Sequence, residues 1–490
     1  MNMSLKAADT SNSHGERKGF SLFLLCFGVF MIYLDGTIVN VALPNIQRDL
    51  GTGMHELQWV IDAYAIAFAC LLLTAGTIGD ALGHKKVFLA GLIGFTLSSV
   101  LCAVAPSIDV LLIGRALQGA FGSVVIPVSL AVIRGMYDEP AARAKAIGIW
   151  AALGGVALAA GPVAGGWLVE AQGWQSVFWV NLPIGAIVSL ALIAKMKATP
   201  ADGSRSIDWL GQSLIILCIA ALTFGMIEGN SRGWNDSIII GSFALSALSL
   251  LAFVAWELRH PSPLLPLRLF RNRIFLAACL VNFTAFFGLF GVLFLLTLYL
   301  QNVNGLSAID TGVRFLALTV SIMIASSFAS SLAQRISPRT LVPFGSLLAA
   351  AALFAMTGID ADSGYASYGW ALALLGIGVA IVGTSATIAL MTSMPPANAG
   401  AASGIANTFR QLSAVVAVAL SGSLIAGPHN AGAVTGAADA AVSPFIDGMG
   451  SALFLASVVC LAGGVISVFL LRNNSAASRS TLAAAETNRS

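Results

Sequence analysis

The stretch Phe20–Leu43, FSLFLLCFGVFMIYLDGTIVNVAL, decides the class of fold. Asp35 supplies its single charged side chain. A helix that rises about 1.5 Å per residue covers about 36 Å over this run, which is sufficient to cross the hydrocarbon core of a bilayer. The run is too long for the apolar core of a signal peptide, so we interpret it as an uncleaved first transmembrane helix.

Apolar runs of this kind recur along the whole chain. Hydrophobic residues make up 57% of its 490 residues and charged residues 10%, and the mean hydropathy is +0.88. These values lie outside the range of soluble globular proteins. We predict an all-α membrane protein in the lipid bilayer, because a spanning helix satisfies its own backbone polar groups. The fourteen predicted spans cover residues 20–43, 58–79, 87–106, 109–133, 145–169, 176–194, 208–228, 237–257, 274–300, 311–334, 340–358, 366–392, 402–426 and 448–471.

The connections between spans predict two six-helix bundles plus two extra central helices. The longest connections on the basic side, 195–207 and 258–273, bracket spans seven and eight. Paired six-helix halves are typical of transporters, in which the substrate path runs between the halves. The predicted organisation is a tail at 1–19, a bundle at 20–194, the inserted pair with its linkers at 195–273, a bundle at 274–471 and a tail at 472–490.

Basic residues predict the orientation, because Lys and Arg near span ends stay on the cytoplasmic side. The net charge of +3 is small, but an N-terminus inside the cell places 20 of the 25 Lys and Arg residues on the cytoplasmic side. Both termini are then cytoplasmic. We expect a multi-pass protein of the cell inner membrane.

Several classes of function are excluded by what the sequence lacks. The six cysteines lie inside apolar runs without CxxC or metal-ligand spacing, so no metal site is expected. The nucleotide-binding pattern GxxxxGK[ST] is missing, which argues against ATP as the energy source. Neither nucleic-acid binding nor enzyme catalysis is indicated. We expect no cofactor, with a proton gradient as the energy source.

Three ionisable residues inside the predicted spans are candidates for proton coupling: Asp35, Asp62 and Arg115. Counting from the outer span ends puts them roughly 12, 6 and 9 Å deep. Burial disfavours a charged carboxylate and a nearby arginine favours it, so proton occupancy can change with exposure. Alternatively, Asp35 and Arg115 form a static pair that locks helix packing. Asp62 lies nearer the interface, where solvation is the alternative.

Two further features of the spans concern the substrate path. Arg410 lies about 13 Å inside the inner face, which is too deep for simple snorkelling, so we expect it to face a cavity. Span nine carries Phe283, Phe286, Phe287, Phe290 and Phe294 at helical spacing. These rings form either an aromatic wall for hydrophobic substrates or a lipid-facing surface.

Five segments together resemble one known family. They are Leu34–Pro44, Gly76–Lys86, Arg115–Gly119, Gly161–Gly166 and Gly404–Gln411. Each resembles a motif of the fourteen-span drug:proton antiporters of the major facilitator superfamily, the EmrB/QacA type. The resemblance covers most of residues 20–425. It implies that Asp35 and Arg115 take part in proton coupling.

The resemblance also implies a cytoplasmic gate in the turn after span two. Its residues match the family motif at Gly76, Asp80, Gly83, Lys85 and Lys86. Ala81 and His84 depart from the usual pattern, which implies a thinner charge network at the gate.

In span five, Gly161, Pro162, Gly165 and Gly166 resemble the motif that marks antiporters within the superfamily. Small residues allow close helix contact and Pro162 permits a bend, so tight packing is the alternative interpretation. For the substrate cavity we assign Asn40, Gln118, Phe287, Asn407, Arg410 and Gln411.

These observations predict a proton-coupled antiporter that works as a monomer by alternating access between protons and a small-molecule substrate. Small lipophilic cationic or neutral compounds, such as drugs or antibiotics, are the expected substrates. The alternatives are a dedicated exporter of one natural product or metabolite, a proton-coupled uptake symporter, and a receptor or scaffold without transport.

Overall fold

A computed structural model describes residues 2–137, 139–195, 208–261, 263–333, 335–394, 399–425 and 438–471. Every regular element in these segments is helical. The α-helices in chain order are α1 Asn2–Leu50, α2 Met54–Leu82, α3 His84–Ala103, α4 Ile108–Met136, α5 Pro140–Gln172, α6 Ser176–Trp179, α7 Asn181–Lys195, α8 Trp209–Arg232, α9 Ser237–Glu257, α10 Arg273–Leu298, α11 Ala308–Arg314, α12 Leu316–Leu332, α13 Pro338–Ala355, α14 Tyr365–Ser393, α15 Ala399–Ile425 and α16 Ala438–Leu470. Short 3₁₀ helices at Leu267–Arg271 and Met356–Gly358 and a π-helical turn at Tyr299–Val303 complete the set.

The predicted all-α membrane fold is confirmed. Thirteen helices in the described residues are long and apolar enough to cross a membrane, and α2 makes a fourteenth when its two bent arms count as one span. The sixth span is formed by α6 and α7, and the tenth by α11 and α12. The first helix begins earlier than the sequence predicted, at Asn2, although its apolar span begins at Lys18.

The helices pack as two groups with a pair between them. Helices α1 to α7 form one group, in which α2 packs on α4 and α1 packs on α5. Helices α10 to α16 form the other, with α10 against α15 and α13 against α14 and α16. Helices α8 and α9 form a hairpin, and α8 contacts both α2 and α15. We call the two groups the first half and the second half.

The two halves contact each other closely near one end of the bundle. We call this end, which carries Leu50 and Asn304, the distal end, and the end that carries Lys18 and Leu470 the terminal end. At the distal end the Gln301 side chain donates a hydrogen bond to the Val41 carbonyl at 2.9 Å. Near the same end Gln58 donates to the carbonyls of Val418 and Ala419 at 3.2 and 2.9 Å, so several hydrogen bonds join the halves there.

Helix α2 bends by 58° between Met54–Leu72 and Thr74–Leu82, with no proline at the bend. The buried side chain of Gln212, on α8, reaches the bend. Its amide nitrogen donates to the Cys70 carbonyl at 3.1 Å, and its amide oxygen accepts a hydrogen bond from the Thr74 hydroxyl. A side chain that enters the backbone ladder of a helix is a common cause of a kink. The inserted pair therefore helps to shape α2.

Candidate proton and substrate sites

Asp35 lies in α1 with no exposed surface, and both oxygens of its carboxylate accept hydrogen bonds. Arg115 Nη1 donates to Oδ2 at 2.7 Å. The amide nitrogens of Asn181 and Gln118 donate to Oδ1 at 3.0 and 3.2 Å. The structure thus brings together two of the predicted proton-coupling residues in a charge-assisted pair. We call Asp35, Arg115, Gln118 and Asn181 the acid network.

Arg115 is held by more than its carboxylate. Its Nε donates to the Val60 carbonyl of α2 at 3.0 Å, and Nη1 also donates to the Gln118 side chain at 2.9 Å. The guanidinium lies 4.3 Å from the centre of the Tyr64 ring, within the range of a cation–π contact. A Cβ at Gly119 would lie 3.0 Å from the Tyr64 carbonyl carbon, so α4 must present a glycine here to approach α2.

Asn181 was not predicted as a functional residue, although the structure places it in the acid network. Its amide nitrogen also donates to the Ser99 hydroxyl at 2.9 Å, which in turn donates to the Phe178 carbonyl at 2.9 Å. The asparagine is buried and opens α7 just after the break from α6. An uncharged polar residue in an apolar span was the available signal, but the sequence alone does not show which acid it would contact.

Asp62 is as completely buried as Asp35, but it does not lie on the side of α2 that contacts Arg115. It lies two residues before Tyr64, and two helical residues project about 200° apart, so Asp62 faces away from Arg115. On its own face, Gln58 bonds to α15, and Ile66 packs with Ile219 of α8 and Val415 of α15. Within the described residues neither carboxylate oxygen of Asp62 has a hydrogen-bond partner.

The turn between α2 and α3 contains the predicted gate. Gly83 has a φ of +92°, in the left-handed region that favours glycine, and ends α2 by donating its N–H to the Gly79 carbonyl. Asp80 precedes this glycine and His84 follows it, and Asp80 Oδ1 lies 3.1 Å from His84 Nε2. The histidine that departs from the family motif therefore contacts the motif's acid.

Other gate residues spread over the terminal end of the first half. Lys85 Nζ donates to the Ile193 carbonyl near the end of α7 at 3.4 Å, and Lys86 is exposed. Gly76 lies in α2 where an added Cβ would meet nothing within 4 Å. The turn is thus anchored to α7 of its own half.

One face of the glycine motif in α5 packs against α1. A Cβ at Gly161 would lie 2.9 Å from Thr37 Cβ, and one at Gly165 would lie 2.8 Å from the Ile38 carbonyl oxygen. Neither position therefore accommodates a side chain without a shift of the α1 backbone. These two glycines set the close approach of α1 and α5.

The other face of the same motif contacts the second half. A Cβ at Gly166 would lie 2.7 Å from Ile309 Cα, and one at Gly312 of α11 would lie 3.0 Å from Val163 Cα, beside Pro162. The motif is therefore a tight packing site on two sides. One of its contacts joins the two halves near the distal end.

Arg410 lies between the halves. Its Nη2 donates to the Tyr33 hydroxyl of α1 at 3.3 Å. The guanidinium lies 5.7 Å from the centre of the Tyr33 ring and 5.2 Å from the centre of the Phe286 ring of α10. A Cβ at Gly154 of α5 would lie 2.9 Å from the Tyr33 ring, so the glycine at this position leaves space for that ring.

The structure places the residues predicted for the substrate cavity in different surroundings. Gln118 belongs to the acid network, Asn40 is buried and donates to the Thr37 carbonyl of its own helix at 3.2 Å, and Phe287 is buried and stacked on Phe283. All three side chains are buried in this conformation. The span-nine ring that contacts Arg410 is Phe286, the neighbour of Phe287 in the sequence. Asn407 and Gln411 are partly exposed on α15, on either side of Arg410.

The family model described as Major Facilitator Superfamily matches residues 25–418. The tetracenomycin C resistance and export protein of Streptomyces glaucescens is 32% identical, over 92% of this chain and 91% of the relative. The multidrug resistance protein Stp of Mycobacterium tuberculosis (strain CDC 1551 / Oshkosh) is 36% identical, over 81% of this chain and 74% of the relative. A crystal structure of a bacterial homologue of the human lysosomal transporter Spinster, inward-facing and occupied, has a TM-score of 0.67 at 15% identity and covers 93% of this chain and 97% of that one.

Proposed function

We propose that this chain, which belongs to the Major Facilitator Superfamily, is a proton-coupled antiporter that exports small lipophilic compounds such as drugs or antibiotics. The family and its structural neighbours are transporters, so the chain is a multi-pass transporter rather than an enzyme. The names of its relatives, which are resistance and export proteins, support export rather than uptake.

The observation that carries the proposal is the acid network. Asp35 is a fully buried carboxylate whose charge is balanced by one guanidinium at 2.7 Å. When such an acid takes up a proton, the ion pair is lost and the arginine keeps its charge without a counter-ion. Protonation therefore changes the contacts of α1 with α4. This is the change that a proton-driven conformational cycle requires.

Asp62 is proposed as a second proton site at the interface between halves. It faces α15 and α8, and both of its oxygens lack partners among the described residues. A buried carboxylate without a partner costs much less when it is neutral than when it is charged. Movement of α2 against α15 would change the exposure of this group, and with it the balance between the two forms.

The alternating-access step is proposed to open the distal contacts between the halves. In this conformation Gln58, Gln301 and Gly166 all contact the opposite half near that end. A substrate-loaded bundle that is closed at the distal end would open there to the outside, and a proton taken up from that side would then displace the substrate. Substrate and proton then occupy the protein in alternation, which is the defining property of an antiporter.

The finer assignment follows the predicted motifs. We assign the chain to the fourteen-span drug:proton antiporter type, with cytoplasmic termini, in the inner membrane, working as a monomer. The span count and the order of the five motifs support this assignment. The predicted gate residues, the motif of α5 and the division into halves at residues 194 and 274 keep their proposed roles.

Expression in a host that lacks its own drug pumps tests the function. Susceptibility to a panel of antibiotics should fall, and everted membrane vesicles should take up the compound identified in a way that an uncoupler stops. The variant Asp35→Asn should remove both effects at equal protein level, while Asp109→Asn, which changes an exposed acid of α4, should keep them. Resistance that survives an uncoupler, or that Asp35→Asn leaves intact, would contradict the proposal.

A dedicated exporter of one natural product is the second candidate. The relative from Streptomyces glaucescens, which aligns over nine-tenths of both chains, is named for resistance to and export of a single compound, tetracenomycin C. A panel that shows protection against one chemical family and no other would favour this candidate.

A further inference from the structure

Arg410 and Arg115 lie in different surroundings. Arg115 is 2% exposed and is paired with a carboxylate. Arg410 is partly exposed, and it forms no ion pair with any residue that the structure describes. Among the described residues, the Tyr33 hydroxyl is the one side-chain group that hydrogen-bonds to Arg410, at 3.3 Å.

The rings beside Arg410 come from opposite halves. Tyr33 belongs to α1 and Phe286 to α10, and the guanidinium lies 5.7 and 5.2 Å from their centres. Arginine stacks on aromatic faces and keeps its N–H donors in the plane of the group, directed past the rings. An aromatic molecule between the halves would therefore meet two ring faces and a set of hydrogen-bond donors together.

The guanidinium has more donors than it uses. It carries five N–H groups in a planar fork, which matches the two oxygens of a carboxylate or of adjacent oxygen substituents. Tyr33 accepts one of them. The two acids buried in the spans of the first half do not balance this charge in this conformation, because Asp35 is paired with Arg115 and neither oxygen of Asp62 has a hydrogen-bond partner among the described residues.

Given the proposed transport function, we infer that Arg410 selects the substrate class: planar aromatic compounds that carry an anionic or strongly accepting oxygen, such as a carboxylate, a phenolate or an enolised diketone. The oxygen binds the guanidinium and the ring system lies against Tyr33 and Phe286. An organic cation would meet the like charge of Arg410 at the same place and bind more weakly. The sequence had predicted cationic or neutral substrates, so the sign of the preferred charge changes.

Equilibrium binding of two dyes to the purified full-length protein tests this assignment. Fluorescein and rhodamine 123 share a xanthene ring system, and at neutral pH the first is an anion and the second a cation. Fluorescence polarisation should show tighter binding of fluorescein to the unmodified protein. A hydrogen-bonded ion contact contributes enough that Arg410→Met should weaken fluorescein binding by roughly 10- to 100-fold. Arg410→Lys, which keeps the charge and loses the fork, should lie between the two.

Arg314 supplies the matched control. It also contacts a tyrosine, since Nη1 donates to the Tyr368 hydroxyl at 2.9 Å and the guanidinium lies 5.7 Å from the Tyr365 ring, but all three residues belong to the second half. Arg314→Met should leave the preference for fluorescein unchanged. Elution of each variant as a single species in detergent confirms folding. If Arg410→Met does not fold, Arg410→Lys and Arg410→Gln serve for the comparison.

Two results would overturn the assignment. One is an unmodified protein that binds rhodamine 123 at least as tightly as fluorescein, or binds neither dye. The other is a folded Arg410→Met or Arg410→Gln variant with unchanged affinity for fluorescein. Because binding needs no proton gradient, a protein that binds fluorescein through Arg410 and transports nothing would refute the proposed function while it supports the assignment of Arg410.

Discussion

Replacement of Asp35 by asparagine removes the charge of the acid and keeps the size of its side chain. In the native protein Arg115, Asn181 and Gln118 donate to the carboxylate at 2.7, 3.0 and 3.2 Å. Asparagine offers one acceptor oxygen in place of two, and its NH2 group, which only donates, would face other donors. The guanidinium of Arg115 stays buried without a counter-charge.

Removal of one partner from a buried ion pair typically costs about 3–5 kcal/mol of the free energy of unfolding. Three contacts of Arg115 survive the substitution, with the Val60 carbonyl, the Gln118 side chain and the Tyr64 ring. We therefore expect the lower limit, about 3 kcal/mol. The Asp35→Asn protein should stay folded and lose proton-driven efflux.

A second substitution should restore the stability and leave transport lost. Arg115→Met alone leaves the Asp35 carboxylate buried and uncompensated, at a similar cost. The double variant Asp35→Asn/Arg115→Met holds no buried charge at this site, and such neutral replacements are often no less stable than the pair. A double-mutant cycle should therefore give a coupling free energy of at least about 3 kcal/mol.

Denaturant unfolding of the detergent-purified proteins, followed by tryptophan fluorescence, measures this cycle, and uncoupler-sensitive efflux measures transport. Asp109→Asn serves as the control in both assays, since that acid is exposed. A double variant whose loss of stability equals the sum of the two single losses, so that the coupling free energy is near zero, would refute the claim that Asp35 and Arg115 stabilise each other. Wild-type efflux by Asp35→Asn would refute the role of this acid in coupling.

Three further substitutions test the rest of the scheme. Asp62→Asn should change the free energy of unfolding by less than about 1 kcal/mol, because its oxygens have no partners among the described residues, and should lower the number of protons moved per substrate in reversal-potential measurements on proteoliposomes. Gly166→Val places methyl groups against Ile309, where even a Cβ would lie 2.7 Å from Cα, so thiol labelling of a cysteine introduced at the distal contact should become faster. Gln212→Leu removes both hydrogen bonds at the bend of α2, and the distance between spin labels at the two ends of that helix should increase.

The spans could be predicted because bilayer thickness alone sets their length. Each apolar run of roughly 20 residues has to form a helix, so α1 to α16 follow the predicted order closely. The contact between Asp35 and Arg115 could also be predicted from the sequence, since two opposite charges in an apolar setting have few other partners. That inference needs only depth and composition.

The remaining details depend on the rotation of each helix about its axis. Depth in the membrane alone predicts that Asp62 lies near Arg115. In the structure, however, Arg115 contacts one side of α2 and Asp62 projects from the opposite side. In the same way Phe286 and Phe287 are adjacent in sequence, and only the packing of α10 decides which ring meets Arg410. The bend of α2 depends on Gln212, a residue more than 130 positions later in the chain. Local sequence carries no information about that partner.

The contacts of α2 suggest how protonation of Asp35 would affect the interface between the halves. Arg115 is bonded to Asp35 on one side and to the Val60 carbonyl on the other. Val60 lies within one turn of Gln58, which bonds to α15, and of Asp62, which faces the same helix. Arg115 holds this distal turn of α2 through the Val60 carbonyl, so any shift of Arg115 after protonation of Asp35 would act directly on that turn. The second acid and the contact between halves lie on that same turn, so the two proposed proton sites are expected to act on one movement, that of α2 against α15.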